Sequence, residues 1–359
     1  MFERLLVKSR FRDYEVHFTD RFTDSLALQR DSSFFIVDEH VMEIYQDELE
    51  LTVPKGRLIL VEAKESHKTL DYCQSLIRIL IERNIRRSHT LIAIGGGVLQ
   101  DIAGFIASIL YRGIRWVFYP TTLLAQADSC IGSKCSINLD GYKNLLGSFC
   151  PPTQIFIDTH FLQTLPVEEI KSGIGEILHF YLIADNGRIV GLTNNYDKLI
   201  KNPMDLIEHI CASLEIKKKM IEIDEFDENE RRIFNYGHTF GHAIETVSNY
   251  SINHGQAVTK GMDIANYLSH SLGYLDEKTF YSLSEALEKN MPEFGLTAEI
   301  LKNFFRILSK DKKNLDTNLS CVLTHGPGQM FITKVPLDDS FKEMIARYFG
   351  ISLESKLTP

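Results

Sequence analysis

The 359-residue chain has no apolar run near the roughly 20 residues that a membrane helix requires, which argues against a membrane-spanning protein. It has no basic excess: 39 Lys and Arg against 48 Asp and Glu leave a net charge of −9. That balance argues against non-specific nucleic-acid binding, which needs a basic surface. It leaves room for a small anionic substrate, because a local cluster of lysines inverts the field inside a cleft. The six cysteines are scattered and contain no C-x-x-C pair, as expected of reduced thiols rather than a disulfide framework. The opening MFERLLVKSRFRDYEV mixes charges and has no apolar signal core, so a cytoplasmic protein without a secretion signal is expected. Internal repeats and low-complexity segments are also missing.

What is present is an alternation. SSFFIVD (32–38), RLILVEA (57–63), HTLIAIGGG (89–97), IRWVFYP (114–120) and TQIFID (153–158) read as strands. HKTLDYCQSLIRILIERNI (67–85) and DIAGFIASILY (101–111) between them carry apolar residues at helical spacing. Strands alternating with helices predict a mostly parallel, Rossmann-like sheet with helices on both faces. After Pro166 the texture changes to long amphipathic helices with few strand signals. A boundary near residue 164 is expected, with an α/β domain over 1–164 and a helical domain over 165–359.

IGGGVLQD (94–101) puts Gly95, Gly96 and Gly97 between a strand and a helix, where the backbone can approach a pyrophosphate at a helix N-terminus. As a dinucleotide fingerprint it is weak. Gln100 stands where G-x-G-x-x-G wants glycine, and no acid follows about 20 residues on. A tight turn without a ligand explains the run nearly as well. Asp38, at a strand end, suits a ribose hydroxyl or a helix cap. The long polar connection over 120–149 gathers Asp128, Lys134, Lys143 and Asn144, a set suited to a hydroxylated anion or to a solvated loop.

NYGHTFGHAIETVSNYSINHG (235–255) holds three of the twelve histidines. His238 and His242 share one face of a helix, a spacing open to a metal pair. A plain polar face is the more common meaning, and HTFGH lacks the glutamate of H-E-x-x-H.

Together these stretches resemble the sugar phosphate cyclases, most closely the 3-dehydroquinate synthase branch. The resemblance is carried in order by Gly95–Asp101, Arg112–Gly113, Pro120–Ser129, Gly132–Asn138, Lys143–Gly147, Gly175–Glu176, Asn235–Glu245, His254–Gly255 and Gly261–Met262. It implies a catalytic metal, zinc or cobalt, held by Glu176, His238 and His254, with an open position for substrate hydroxyls. His242 then becomes a polar residue near the substrate phosphate. NAD is implied at Asp38, Glu65 and Lys68, with its pyrophosphate under the glycine turn and Asp101, and with Thr121, Thr122 and Asp158 lining the cofactor. Substrate residues map to Asp128, Lys134, Lys143, Asn144, Lys217, Arg231, Asn235, His242 and Lys313. Arg112 matches an arginine that reaches phosphate from a neighbouring subunit, which implies a homodimer. The implied chemistry is a redox-assisted elimination: NAD takes a hydride from a ring carbinol of a phosphorylated sugar acid, phosphate leaves, the hydride returns and the ring closes.

One catalytic position departs from that pattern. Where the family has lysine three residues after the metal glutamate, GEILHF places His179, a group that titrates near neutrality instead of a fixed cation. Arg231 and Asn235 are retained, and they favour a carboxylated heptulosonate phosphate over a paralogue's substrate such as sedoheptulose 7-phosphate. A metal-dependent alcohol dehydrogenase of the same fold would share the glycine turn and the histidines but release NADH.

Overall fold

The computed structural model describes residues 4–140, 142–185, 187–309 and 318–352. Two compact units result: one of Met1–Ile170 with Lys201–Phe226, the other of Lys171–Ile200 with Asp227–Pro359.

The first unit is built on a seven-stranded sheet. In chain order its strands are β1 (Arg4–Val7), β2 (Tyr14–Phe18), β3 (Ser33–Asp38), β4 (Leu58–Val61), β5 (Thr90–Gly95), β6 (Arg115–Pro120) and, after a separate hairpin, β9 (Gln154–Ile157). The order across the sheet is β1-β2-β9-β6-β5-β3-β4, parallel throughout except where β1 pairs antiparallel with β2. SFFIVD of β3 and TLIAIG of β5 are buried almost end to end. Such unbroken apolar runs belong in the middle of a sheet covered on both faces. The Leu70–Glu82 helix starts on the Thr69 hydroxyl, which accepts from the Tyr72 N–H at 3.3 Å, and buries Cys73, Leu76 and Leu80 on one stripe.

Register decides which residues meet at the carboxyl edge of this sheet. Val37 pairs with Ile94 and Gly95 with Pro120, so Asp38, the glycine turn and Thr121 come to one edge. Open parallel sheets bind ligands at that edge.

Several elements of this unit depart from the sequence expectation, the strands β1 and β2 among them. The polar connection over 120–149 contains a π-helical turn, Ala125–Ser129, and an antiparallel hairpin of β7 (Lys134–Leu139) and β8 (Tyr142–Phe149). Its strand character was hidden because β8 is largely exposed and glycine-punctuated, giving no apolar alternation. The Ile207–Ile223 helix belongs to the first unit, where Lys217 meets Asp128 and Glu225 meets Ser9 and Arg10, so one cut near residue 164 does not describe the two units.

Among its described residues the second unit is helical apart from a hairpin of β10 (Asn318–Thr324) and β11 (Met330–Pro336). Its helices Val167–Ala184 (from Lys171 onward) and His254–Ser271 are buried nearly all round, the mark of central helices. Among the described residues no helix is long and apolar enough to cross a membrane.

Candidate active site

The second unit brings Glu176, His238 and His254 together from three helices. Gly175 and Gly255 make this possible, since a Cβ on either would overlap backbone of the opposite helix. Each of these glycines adjoins a site residue, so the crossing that requires them also sets Glu176 beside His254. Gly237, at φ +77°, turns the chain so that the His238–Val247 helix begins on His238.

Glu176 is 2% exposed, and its Oε1 makes no hydrogen bond. A bare buried carboxylate is costly unless cations face it. Oε1 lies 3.2 Å from His254 Nε2 and 3.5 Å from His238 Nε2. Ligand atoms around a tetrahedral zinc with bonds near 2.0–2.1 Å stand about 3.3 Å apart. Both carboxylate–imidazole spacings are therefore already those of a metal site, and all three ligand atoms lie within 4.8 Å of one another.

Their outer contacts fit as well. His238 Nδ1 is 3.2 Å from the Tyr236 carbonyl oxygen and His254 Nδ1 is 3.2 Å from Glu245 Oε2. With Nδ1–H donating in each ring, both Nε2 lone pairs turn toward Glu176. Burial by itself would raise the Glu176 pKa, yet the imidazoles, His238 foremost, hold it well below the usual carboxylate range. Burial would lower the His254 pKa, but Glu176 and Glu245 together raise it to about 10. Two carboxylates thus draw positive charge to this point, which a divalent cation supplies better than a proton.

His179 is also buried, with Nδ1 3.5 Å from Glu176 Oε2. Burial pushes its pKa down to about 3, so this ring is neutral near pH 7. His242 is exposed, its ring 5.6 Å from that of His238 and 5.7 Å from that of His254.

In the first unit the cofactor-edge residues form a second constellation. Lys68 Nζ donates to Asp101 Oδ2 at 2.8 Å and Asn144 Oδ1 at 2.7 Å, and lies 3.7 Å from Glu65 Oε1. Ser136 N–H donates to Asp101 Oδ1 and Asn138 Nδ2 to Glu65 Oε1, each at 2.8 Å. Burial raises the Asp101 pKa against the pull of Lys68. Asp38 Oδ1 caps the next helix at His40 N–H, 3.0 Å, and Thr122 Oγ1 accepts from Ala125 N–H at 3.2 Å. Asp158 is committed to structure, its two oxygens each accepting a backbone N–H, from Phe22 and from His160, at 2.9 Å. Asp128 sits on the π-helical turn, where Lys217 Nζ bonds both its carboxylate and its carbonyl oxygen at 2.8 Å. π-Turns of this kind often mark functional sites.

The remaining expected residues are more dispersed. Lys134 and Lys143 are exposed on β7 and β8. Arg231 is buried in the short helix Glu230–Asn235, whose last side chain donates to the Arg232 carbonyl at 2.8 Å. Arg112 is exposed, in a left-handed conformation (φ +63°) next to Tyr111 at φ +53°. Lys313 lies outside the described residues. Sequence reasoning assigned no role to Glu245, Ser136 or Asn138. Glu245 and Asn138 each close a run already noticed as a pattern, so the available signal was their place at its end.

Comparison with known proteins matches residues 58–172 to the profile of the 3-dehydroquinate synthase N-terminal domain and 173–314 to that of the C-terminal domain. The chain is 37% identical over 305 residues to a 3-dehydroquinate synthase of Clostridium tetani (84% of this chain, 82% of that one). It is 34% identical over 347 residues to one from a Thermoanaerobacter species (92% and 96%). Among solved structures, 2-deoxy-scyllo-inosose synthase complexed with carbaglucose-6-phosphate, NAD+ and Co2+ shares the fold at a TM-score of 0.84 and 24% identity, covering 96% of this chain and 98% of that one. A probable glycerol dehydrogenase of Sinorhizobium meliloti shares it at 0.62 and 13% (92% and 94%).

Proposed function

This chain belongs to the 3-dehydroquinate synthase family, and we propose that it is an NAD- and divalent-metal-dependent cyclase that converts a heptulosonate phosphate to a carbocycle with release of phosphate. The observation that carries the reading is the Glu176–His238–His254 group, with a buried carboxylate oxygen facing two Nε2 atoms at tetrahedral spacing. When bound, the metal acidifies the substrate's vicinal hydroxyls and NAD accepts and returns a hydride.

The chain's own residues bind, orient and neutralise. A phosphorylated sugar acid carries about three negative charges, and Lys134, Lys143, Arg231 and Lys313 offer cations for them. Arg231 is suited to a carboxylate through two parallel N–H bonds, and Asn235 and His242 supply further polar groups. Lys217 holds Asp128 and its turn in place. Lys68, Asp101, Glu65 and Asn144 form the rigid polar edge against which NAD would lie, with Asp38 and Gly95–Gly97 beside it. Arg112 would reach the phosphate of a neighbouring subunit, making the enzyme a homodimer. Six unpaired thiols suit the reducing cytoplasm.

One observation favours a second reading. His179, neutral beside Glu176, leaves the site one cation poorer than its relatives' pattern, as in a paralogue with another sugar phosphate. Phosphate release from 3-deoxy-D-arabino-heptulosonate 7-phosphate and from sedoheptulose 7-phosphate, in wild type and His179→Lys, separates the two. Preference for the heptulosonate supports the proposal, and preference for sedoheptulose 7-phosphate refutes the carboxylate argument. Turnover only in His179→Lys would mark a divergent paralogue.

A further inference from the structure

His254 has a carboxylate at each ring nitrogen: Glu176 Oε1 is 3.2 Å from Nε2, and Glu245 Oε2 is 3.2 Å from Nδ1. Two donor groups share this imidazole. One is Glu176, His238 and His254, and the other is His242, Glu245 and His254, each with ligand atoms within 4.8 Å of one another. A neutral imidazole has a lone pair on one nitrogen and a proton on the other. With the Nδ1 proton directed at Glu245, the lone pair faces the first group. With the Nε2 proton directed at Glu176, it faces the second.

We propose that His242, Glu245 and His254 form a second, weaker seat for a divalent cation of the zinc class, mutually exclusive with the first because both draw on the single lone pair of His254. The proposal rests on the reading that Glu176, His238 and His254 hold a metal. Two imidazoles and one carboxylate are a zinc donor set. His242 and Glu245 are the first and fourth residues of one helical stretch and so project to the same face. The His242 ring already lies 27° from parallel to that of His254. The ligand atoms lie within 4.8 Å of one another, and a bound cation would draw them to the about 3.3 Å of a tetrahedral edge. The seat is weaker because His242 and Glu245 keep contact with water, whereas Glu176 is 2% exposed. Loading it would also withdraw His242 from the substrate, so a cation in the second seat blocks the site.

The test counts zinc in the full-length protein at pH 7 over a range of buffered free Zn2+, with circular dichroism to confirm folding. Wild type is expected to saturate at one ion per chain. His238→Ala, which disables the first seat, should still take up one ion at higher free zinc, and His238→Ala/Glu245→Gln should take up none over the same range. Glu176→Gln disables the first seat independently, should His238→Ala fail to fold. Glu245→Gln alone should keep one ion, bound about 10–100-fold more weakly through loss of the outer contact to His254. Folded first-seat variants that bind no zinc would overturn the second seat, and two ions bound to wild type would overturn the exclusivity. Wild type that binds no zinc would bring down the functional reading itself, and this proposal with it.

Discussion

Replacing Gly175 with alanine adds one methyl group in the middle of a buried helix, and the structure says what it meets. The new Cβ would lie far inside the 3.4 Å of ordinary contact with the Gly255 carbonyl oxygen, and a backbone atom cannot rotate away. The Val167–Ala184 and His254–Ser271 helices must therefore separate. Overpacking of this kind costs roughly 1–3 kcal/mol, and a backbone obstacle points to the upper end. For a unit of this size that corresponds to a fall in Tm of about 2–12 °C. The same movement carries Glu176 away from His254, whose 3.2 Å spacing is already that of a metal site. Zinc affinity should fall more steeply than stability, because ligand positions tolerate only about 0.5 Å. Gly191→Ala is the control: its Cβ would meet nothing within 4 Å, and the change should stabilise by about 0.5–1 kcal/mol. Differential scanning calorimetry with metal analysis measures both effects. A Gly175→Ala protein with wild-type Tm and one tightly bound zinc would refute the argument that this crossing builds the site.

Lys68→Met leaves the Asp101 carboxylate without its cation and should destabilise by roughly 3 kcal/mol in urea titrations, with much of that recovered in Lys68→Met/Asp101→Asn. Arg112→Gly removes a side chain from a left-handed backbone position, so Tm should hold or rise slightly while turnover falls; a large loss of Tm would contradict this. Burial pushes the thiols of Cys73, Cys130, Cys135 and Cys321 up to about 12, so at pH 8 the native protein should expose at most Cys150 to rapid labelling, against six thiols once denatured.

Much of the fold was legible because it rests on local pattern. The strands that became β3, β4, β5, β6 and β9 announce themselves as short apolar runs ending in turns, and their parallel arrangement follows from the helices between them. β1, β2 and the β7–β8 hairpin were not legible. β1 lies at the sheet edge and β8 is largely exposed, while the apolar–polar alternation of β2, YEVHF, spans only five residues among charged neighbours. The site divides in the same way. Glycine-flanked Glu176 and His254 stand out as ordered patterns, but spacing alone pairs His238 with His242, whereas the structure sets His238 against Glu176 across a helix crossing. No periodicity encodes that crossing. Glu245 went unassigned because orienting a histidine is a tertiary relation. The commitment of Asp158 to the N–H groups of Phe22 and His160 was equally out of reach, since Phe22 is 136 residues away in sequence.

In the proposed reaction the hydride that NAD takes is given back. The direct measurement counts phosphate released per NAD when the metal-loaded enzyme is given limiting NAD and excess 3-deoxy-D-arabino-heptulosonate 7-phosphate, with NADH absorbance followed in the same cuvette. Many phosphates per NAD are expected, with no rise in NADH. NADH accumulating in step with product, or phosphate release that stops at one per NAD, would contradict that reaction.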